Sequence, residues 1–176
     1  RVMAEYFETA GALIWICDAD KEILQQCLKE NSGWKGTLCD VADEDSVNKL
    51  FQEIEKGFGG LEILVNNAGI AGPTTPVEDI DPEEWRKSVG VNLNGAFYCT
   101  RLAVPFLKSA KQASIINISS VYGLVSPRQD IYDFRRKDGG VYYKPIAYSV
   151  SKSAILNLTR YLATYWAETG VRVNTL

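Results

Sequence analysis

The residues best suited to chemistry in this sequence are a tyrosine and a lysine four positions apart, Tyr148 and Lys152. Tyr148 is the only one of the nine tyrosines that has a lysine four residues later. In a helix this spacing places both side chains on one face. A tyrosine hydroxyl serves as a base near neutral pH only where a neighbouring cation favours its phenolate, and Lys152 is such a cation. The pair indicates acid–base chemistry, although taken alone it also fits a helix-start aromatic residue beside a solvated lysine.

Other reaction types are excluded by the residues that the sequence lacks. It contains no histidine, which rules out a histidine base and every mechanism or metal site that needs one. The four cysteines (Cys17, Cys27, Cys39 and Cys99) form no Cys-x-x-Cys pair and lie in or beside apolar stretches. We therefore expect reduced, buried thiols and no metal site.

The charge balance argues against two classes of partner. The 176 residues contain 19 Lys and Arg against 22 Asp and Glu, a net charge of −3. A mildly acidic surface repels phosphate backbones and anionic lipids, so we expect neither nucleic acid nor membranes as partners. No apolar run is long enough to cross a bilayer, and we expect a cytoplasmic protein.

Strand and helix patterns alternate along the whole chain. Apolar runs predict strands at residues 12–17, 35–39, 61–65, 114–118 and 170–174, and helical periodicity predicts helices at 2–10, 21–30, 43–56, 83–109 and 147–168. The long helix 83–109 is expected to bend near Pro105. Since continuous apolar strands alternate with one-faced helices, the pattern predicts a single α/β domain, a doubly wound parallel sheet in three αβα layers.

The polar residues of interest follow the predicted strands. Asp18, Asp40, the turn at 66–69 and the Ser119-Ser120 pair each lie at or just beyond a strand's carboxyl end, which is where such sheets bind ligands. Ser119-Ser120 alone also fits a polar strand end. Asn92 lies within a long helical segment, where asparagine is unfavourable, and this favours a specific role.

These residues together carry a family resemblance. The motifs are Asn66-Asn67-Ala68-Gly69, Val91-Asn92-Leu93, Ile116-Asn117-Ile118-Ser119-Ser120, Tyr148-Ser149-Val150-Ser151-Lys152 and Gly170-Val171-Arg172-Val173-Asn174. In this order, on these elements, they resemble the short-chain dehydrogenase/reductase family, in its single-domain branch with a Rossmann-like fold. The resemblance covers essentially all of the chain.

The resemblance implies a catalytic set of four residues. Tyr148 would be the general acid in carbonyl reduction and the base in alcohol oxidation. Lys152 would favour the phenolate and hold the nicotinamide ribose hydroxyls. Ser120 would hydrogen-bond the substrate oxygen, and Asn92 would anchor a water chain that returns the proton.

The resemblance also implies a nicotinamide cofactor. Asp18 would receive the adenosine ribose hydroxyls, and no arginine follows it to accept a 2′-phosphate, so NAD is favoured over NADP. A helix N-cap is the other interpretation of Asp18, though Asp20 suits that position better. Asp40 and Val41 would border the adenine, and Asn67, Ala68 and Gly69 would line the ribose side together with Tyr148 and Lys152.

Two features depart from the family pattern. The glycine-rich loop that holds the pyrophosphate is absent, and the sequence begins and stops within family elements. We therefore expect a fragment of a longer protein, incomplete at both ends. In addition, Ser120 precedes Tyr148 by 28 positions, which predicts an inserted loop at 121–146.

The insertion is rich in aromatic and basic residues. They are Tyr122, Arg128, Tyr132, Phe134, Arg135, Arg136, Lys137, Tyr142 and Tyr143. Their position beside the site suits a polyhydroxylated or anionic substrate, and similar insertions occur in family members of bacterial surface-sugar pathways. A solvated loop or a subunit contact is the other interpretation.

The leading hypothesis is an enzyme that transfers a hydride between NAD(H) and a secondary alcohol or ketone, with a sugar-like or polyol small molecule as substrate. One alternative is a β-ketoacyl-type thioester reductase, and another is a non-catalytic cofactor-binding homologue. The family resemblance further implies a homodimer or homotetramer.

Overall fold

The computed structural model describes residues 1–136 and 141–176, so Lys137 of the predicted insertion lies outside the described residues. Five strands alternate with helices. The strands are β1 (Trp15–Asp18), β2 (Lys35–Leu38), β3 (Ile63–Asn66), β4 (Ala113–Asn117) and β5 (Val171–Thr175). The helices are α1 (Val2–Thr9), α2 (Lys21–Glu30), α3 (Glu44–Phe58), α4 (Pro82–Val89), α5 (Gly95–Ser109) and α6 (Ile146–Tyr165). The predicted alternation is confirmed.

Aspartates set the starts of three helices. Asp20 accepts hydrogen bonds from the amides of Glu22 and Ile23 at the start of α2. Asp43 and Asp81 cap α3 and α4 in the same way. Because these side chains satisfy amides that have no partner within the helix, they fix where each helix leaves its preceding loop.

All strand pairs are parallel, as predicted for a doubly wound sheet. β1 pairs with β2, and β4 lies between β3 and β5. Within the described residues no ladder joins β1 to β3, so the strands form a pair and a trio. The continuous apolar run at 12–17 predicts a strand buried on both faces, and this expectation is wrong. Within the described residues β1 pairs on one side alone, and none of its four residues is buried.

The core lies between α3, α5 and the strand trio. The predicted apolar face of α3, formed by Val47, Leu50, Phe51 and Ile54, is completely buried. It packs in one cluster with α5 and with the central strand, where Ile115 is fully buried. This apolar layer holds the strands so that their carboxyl ends share one edge.

The predicted long helix at 83–109 is interrupted. α4 and α5 are joined by one turn of π-helix at Gly90–Asn94, and α5 continues through Pro105 without a break. This interruption centres on Asn92 and was not predicted, whereas the bend expected near Pro105 stays a prediction. A π turn inside a helix often accompanies a functional site, because it turns a side chain out of the regular helical register.

The predicted insertion contains short 3₁₀ turns at Val121–Gly123 and Gln129–Arg135, and α6 begins at Ile146. Among helices of the described ranges, none has the length and apolar character that a membrane span requires.

Candidate active site

Lys152 occupies the centre of the site, nearly two turns into α6. It is 5% exposed, and its Nζ donates a hydrogen bond to the carbonyl of Ile118 at 2.6 Å. The same nitrogen lies 5.7 Å from the centre of the Tyr148 ring. The predicted tyrosine–lysine pair is therefore brought together on one helical face. Burial lowers the pKa of Lys152, because desolvation disfavours the charged ammonium.

The Ser119-Ser120 pair joins the end of β4 to this helix. Ser119 donates from Oγ to the carbonyl of Lys152 at 2.8 Å, which ties the strand to α6. Ser120 is half-buried, and its Oγ accepts the amide of Tyr122 at 3.2 Å. In the described residues the Ser120 hydroxyl donates to no protein acceptor, so its proton is available to a ligand.

Asn92 joins Ile70, which follows the turn at 66–69, to Ser151 of α6, and we call these contacts the Asn92 clamp. It is 2% exposed, and its Oδ1 accepts the amide of Ile70 at 2.7 Å. Its Nδ2 donates to the carbonyl of Ile70 at 2.8 Å and to Oγ of Ser151 at 3.2 Å. The π turn directs the side chain into this position. The water-anchoring role expected of Asn92 stays a prediction.

Gly69 completes the pocket beside Lys152. A Cβ at Gly69 would lie 3.2 Å from Oδ1 of Asn92 and 3.6 Å from Nζ of Lys152. Asn67, Ala68 and Gly69 are exposed. The turn therefore offers open backbone next to a buried ammonium that has two N–H groups left after its bond to Ile118.

The residues predicted to face the adenosine lie on the β1–β2 pair. Asp18 is exposed at the end of β1, and its Oδ1 accepts the amide of Asp20 at 2.9 Å, which leaves the second oxygen available. Asp40 is also exposed, and its carboxylate accepts the amide of Ala42. Val41 is 8% exposed and packs under Gly95, so its side chain serves the core more than a ligand.

The described residues of the inserted loop contact one another. Arg136 donates to the carbonyls of Tyr142 and Gln129, at 2.7 and 2.8 Å. Two of the predicted anion-binding arginines are already paired with carboxylates, Arg128 with Asp130 and Arg136 with Asp133. These two charges are therefore largely compensated within the loop.

Sequence reasoning missed three residues that make contacts in or near the candidate site. Ile70 and Ser151 are the partners of the Asn92 clamp, and Lys144 stands over two tyrosine rings of the insertion. Ser151 belongs to the quoted Tyr-x-x-x-Lys motif, so its position in the helix was visible. The lysine had no signal, because a single lysine before a proline is ordinary in a loop.

In the described parts of the chain, no three His, Cys, Asp or Glu side chains converge as metal ligands.

Comparison with known proteins identifies the family. A family model described as enoyl-(acyl carrier protein) reductase matches residues 1–176. A tropinone reductase homolog of Arabidopsis thaliana is 34% identical over 181 residues, covering 100% of this chain and 63% of the relative. Galactitol 2-dehydrogenase of Rhizobium johnstonii is 32% identical, covering 97% of this chain and 62% of the relative.

A solved structure agrees with these matches. The ligand-free aldohexose dehydrogenase of Thermoplasma acidophilum is 28% identical, with a TM-score of 0.81, over 99% of this chain and 59% of its own. The chain belongs to the short-chain dehydrogenase/reductase family, a family of NAD(P)-binding oxidoreductases with a Rossmann-like fold. It spans about three fifths of the length of the relatives that it matches.

Proposed function

We propose that the protein carrying this chain is an oxidoreductase that transfers a hydride between a nicotinamide dinucleotide and a secondary alcohol or ketone. The observation that carries the proposal is the buried ammonium of Lys152, 5.7 Å from the Tyr148 ring centre and beside the open turn at Gly69. A buried cation without a carboxylate partner is costly, so its placement beside a tyrosine favours a functional role.

The residues of the chain divide the proton chemistry among them. Tyr148 donates a proton to the carbonyl oxygen in reduction, or removes it from the hydroxyl in oxidation. Lys152 favours the phenolate through its positive charge. Ser120 donates its free hydroxyl proton to the substrate oxygen and so orients the substrate toward Tyr148. A bound nicotinamide supplies or accepts the hydride.

The residues present fit such a cofactor. Lys152 keeps two N–H donors next to the exposed turn, as ribose hydroxyls require, and Asp18 keeps one carboxylate oxygen free. A carboxylate at that position accepts ribose hydroxyls and repels a 2′-phosphate, which supports NAD over NADP. Asp40, Asn67, Ala68 and Gly69 form the rest of the proposed surface.

The names of several relatives support a sugar-like or polyol substrate. They include galactitol 2-dehydrogenase, the sorbose reductase of Candida albicans and the aldohexose dehydrogenase. The matching family model is described as an enoyl-(acyl carrier protein) reductase, and this description keeps a β-ketoacyl-type thioester reductase, which would reduce the β-keto group of a carrier-bound acyl chain, as a second candidate. A cytoplasmic location and a homodimer or homotetramer, both expected from the sequence, belong to the same proposal.

Replacing Tyr148 by Phe tests the proposal. The change removes one hydroxyl, and we expect kcat to fall by about 10²-fold or more on any accepted alcohol, because the positioned proton donor is lost. Tyr161→Phe is the matched control, since Tyr161 is exposed on the same helix. Wild-type turnover in the Tyr148→Phe variant would reject the mechanism, and bound cofactor without turnover in the wild type would favour the non-catalytic homologue.

A further inference from the structure

One lysine at the end of the inserted loop is held by two aromatic rings, of which one belongs to a residue next to the proposed substrate serine. The Nζ of Lys144 lies 5.3 Å from the ring centre of Tyr122 and 5.3 Å from that of Tyr132, and the two tyrosine hydroxyls share a hydrogen bond. Tyr122 is in turn bonded through its amide to Ser120. Lys144 therefore contacts the ring of a residue whose backbone adjoins the serine that is proposed to orient the substrate, and it precedes Tyr148 by four positions.

The charge of Lys144 is not compensated by a carboxylate in the described residues. Arg128 pairs with Asp130 and Arg136 with Asp133 in the same loop, whereas Lys144 forms no ion pair there. Among the described residues, its ammonium lies over the faces of the two tyrosines. A ring face attracts a cation, but it does not use the N–H donors that point away from it.

A second cation of the loop is less well placed. Arg135 stacks on Phe134 and on Tyr142, with its guanidinium 5.8 and 5.0 Å from the ring centres. Among the described residues, neither Phe134 nor Tyr142 hydrogen-bonds a residue of the catalytic set, whereas Tyr122 does so through its backbone amide. Lys144 is therefore the better candidate for contact with a substrate.

The backbone of Lys144 is held in place before any ligand binds. Its amide donates to Oε1 of Gln129 at 2.8 Å, and the Gln129 carbonyl is bonded to Arg136. The amide of Tyr143 donates to the carbonyl of Thr74 at 2.7 Å, which attaches this end of the insertion to the loop after β3. Pre-ordering of this kind reduces the entropy that a ligand must overcome.

We infer that Lys144 binds an anionic substituent of the substrate, a carboxylate or a phosphate carried by the same molecule whose hydroxyl reaches Ser120 and Tyr148. The substrate class is then a hydroxy acid, a sugar acid or a sugar phosphate. This inference rests on the proposed function, because it assigns the substrate of that same site. The two tyrosine rings hold the lysine stem while its ammonium N–H groups donate to the anion.

The test compares matched neutral and charged substrates. Initial rates with NAD are measured on galactose, galacturonate and galactose 6-phosphate, and on 3-hydroxybutyrate beside its methyl ester. We expect the charged substrates to have the higher kcat/KM. Comparison of galacturonate with galactose 6-phosphate then shows whether the bound anion is a carboxylate or a phosphate. Raising the salt concentration should reduce the preference, since exposed charges are screened.

Lys144→Met should lower kcat/KM on the charged substrates by about 10- to 100-fold, the factor expected for a lost hydrogen bond to a charged group, and mainly through KM. Neutral substrates should change less than about 3-fold, and Lys144→Arg should restore part of the preference. Lys35→Met is the matched control, because Lys35 also stands over two rings, those of Trp15 and Phe58, at the opposite end of the strands.

Two results overturn the inference while leaving the proposed function intact. One is a wild-type preference for the neutral members, and the other is an equal loss on neutral and charged substrates in Lys144→Met, which would make the lysine a brace for the loop. If Lys144→Met fails to fold, two other measurements decide the question. They are the salt dependence of the wild-type preference for charged substrates and the ratio of kcat/KM on charged to neutral substrates in Lys144→Arg. A wild-type protein that binds NAD and turns over no member of the panel would contradict the proposed function and this inference with it.

Discussion

Removal of the Asn92 side chain should destabilise the fold far more than removal of a neighbouring asparagine. Asn92→Ala leaves both the amide and the carbonyl of Ile70 without their partner, and it deletes the bond to Ser151. An unsatisfied buried polar group costs about 1–3 kcal/mol, and Ile70 is only half-buried, so water recovers part of this. We expect a loss of about 2–4 kcal/mol in the free energy of unfolding.

The assay is equilibrium urea unfolding, with Asn94→Ala as the control. Asn94 lies in the same π turn and is exposed, so its replacement should change the free energy of unfolding by no more than about 0.5 kcal/mol. With a typical slope of about 2 kcal/mol per molar urea, the Asn92→Ala midpoint should fall by about 1–2 M. Hydrogen exchange of the Ile70 amide should accelerate in that variant alone.

Asn92→Asp separates the donor role from the acceptor role. The carboxylate still accepts the amide of Ile70, but it places a charged acceptor against the carbonyl of Ile70. The folded state then favours the protonated acid, so the deficit relative to wild type should shrink as the pH falls toward about 4. Equal midpoints for Asn92→Ala and Asn94→Ala would refute the clamp.

Three further outcomes are expected. Asp18→Ala should reduce the preference for NAD over NADP by about 10-fold or more, since a hydrogen bond to a charged group is lost. Titration of both cofactors gives the ratio of their Kd values, and an unchanged ratio would contradict the role proposed for Asp18. Because burial lowers the pKa of Lys152, the unfolded chain binds this proton more tightly than the folded chain does. The free energy of unfolding, compared with that of Lys152→Met, should therefore rise as the pH approaches about 10.4. Urea unfolding across pH 7–10 measures this trend, and a free energy that falls with pH would contradict the prediction. Gly123→Ala should lower the free energy of unfolding by about 1–3 kcal/mol, because its Cβ would lie 2.7 Å from the carbonyl oxygen of Lys152. Gly60→Ala is the control, since a Cβ there has nothing within 4 Å, and equal thermal unfolding of the two variants would contradict the prediction.

Much of the fold was predictable because period and capping are local signals. The α2 bounds were predicted to the residue, and the buried face of α3 was predicted in full, since its four apolar positions repeat at helical spacing. The π turn was not predictable from period, because the extra residue offsets the apolar pattern by a single position and the surrounding stretch is too rich in apolar residues for that offset to show. The asparagine at position 92, which is unfavourable inside a helix, was the sequence feature that indicated an irregularity, and it lies in the π turn.

The candidate site was predictable to a smaller extent. Sequence spacing alone places Tyr148 and Lys152 on one face, and the structure confirms their approach. The partners of Asn92 were not accessible, because Ile70 and Ser151 are 22 and 59 positions away from it. The spacing of Arg128 and Arg136 from nearby carboxylates allows ion pairs, but it equally allows arginines that face a ligand. The sequence alone does not distinguish these two arrangements.

The single turn of π-helix also constrains how this chain tolerates insertions and deletions. A π turn takes up one more residue than an α-helical turn while it rotates the chain by nearly the same angle. Deleting one residue from Gly90–Asn94 would therefore restore regular hydrogen bonding and leave α4 and α5 in almost the same rotation, with Ser88 on α4 and Leu107 on α5 still buried. The deletion would instead move Asn92 out of the position from which it contacts Ile70 and Ser151. The extra residue is thus dispensable for the packing of the two helices and needed for the placement of this one side chain.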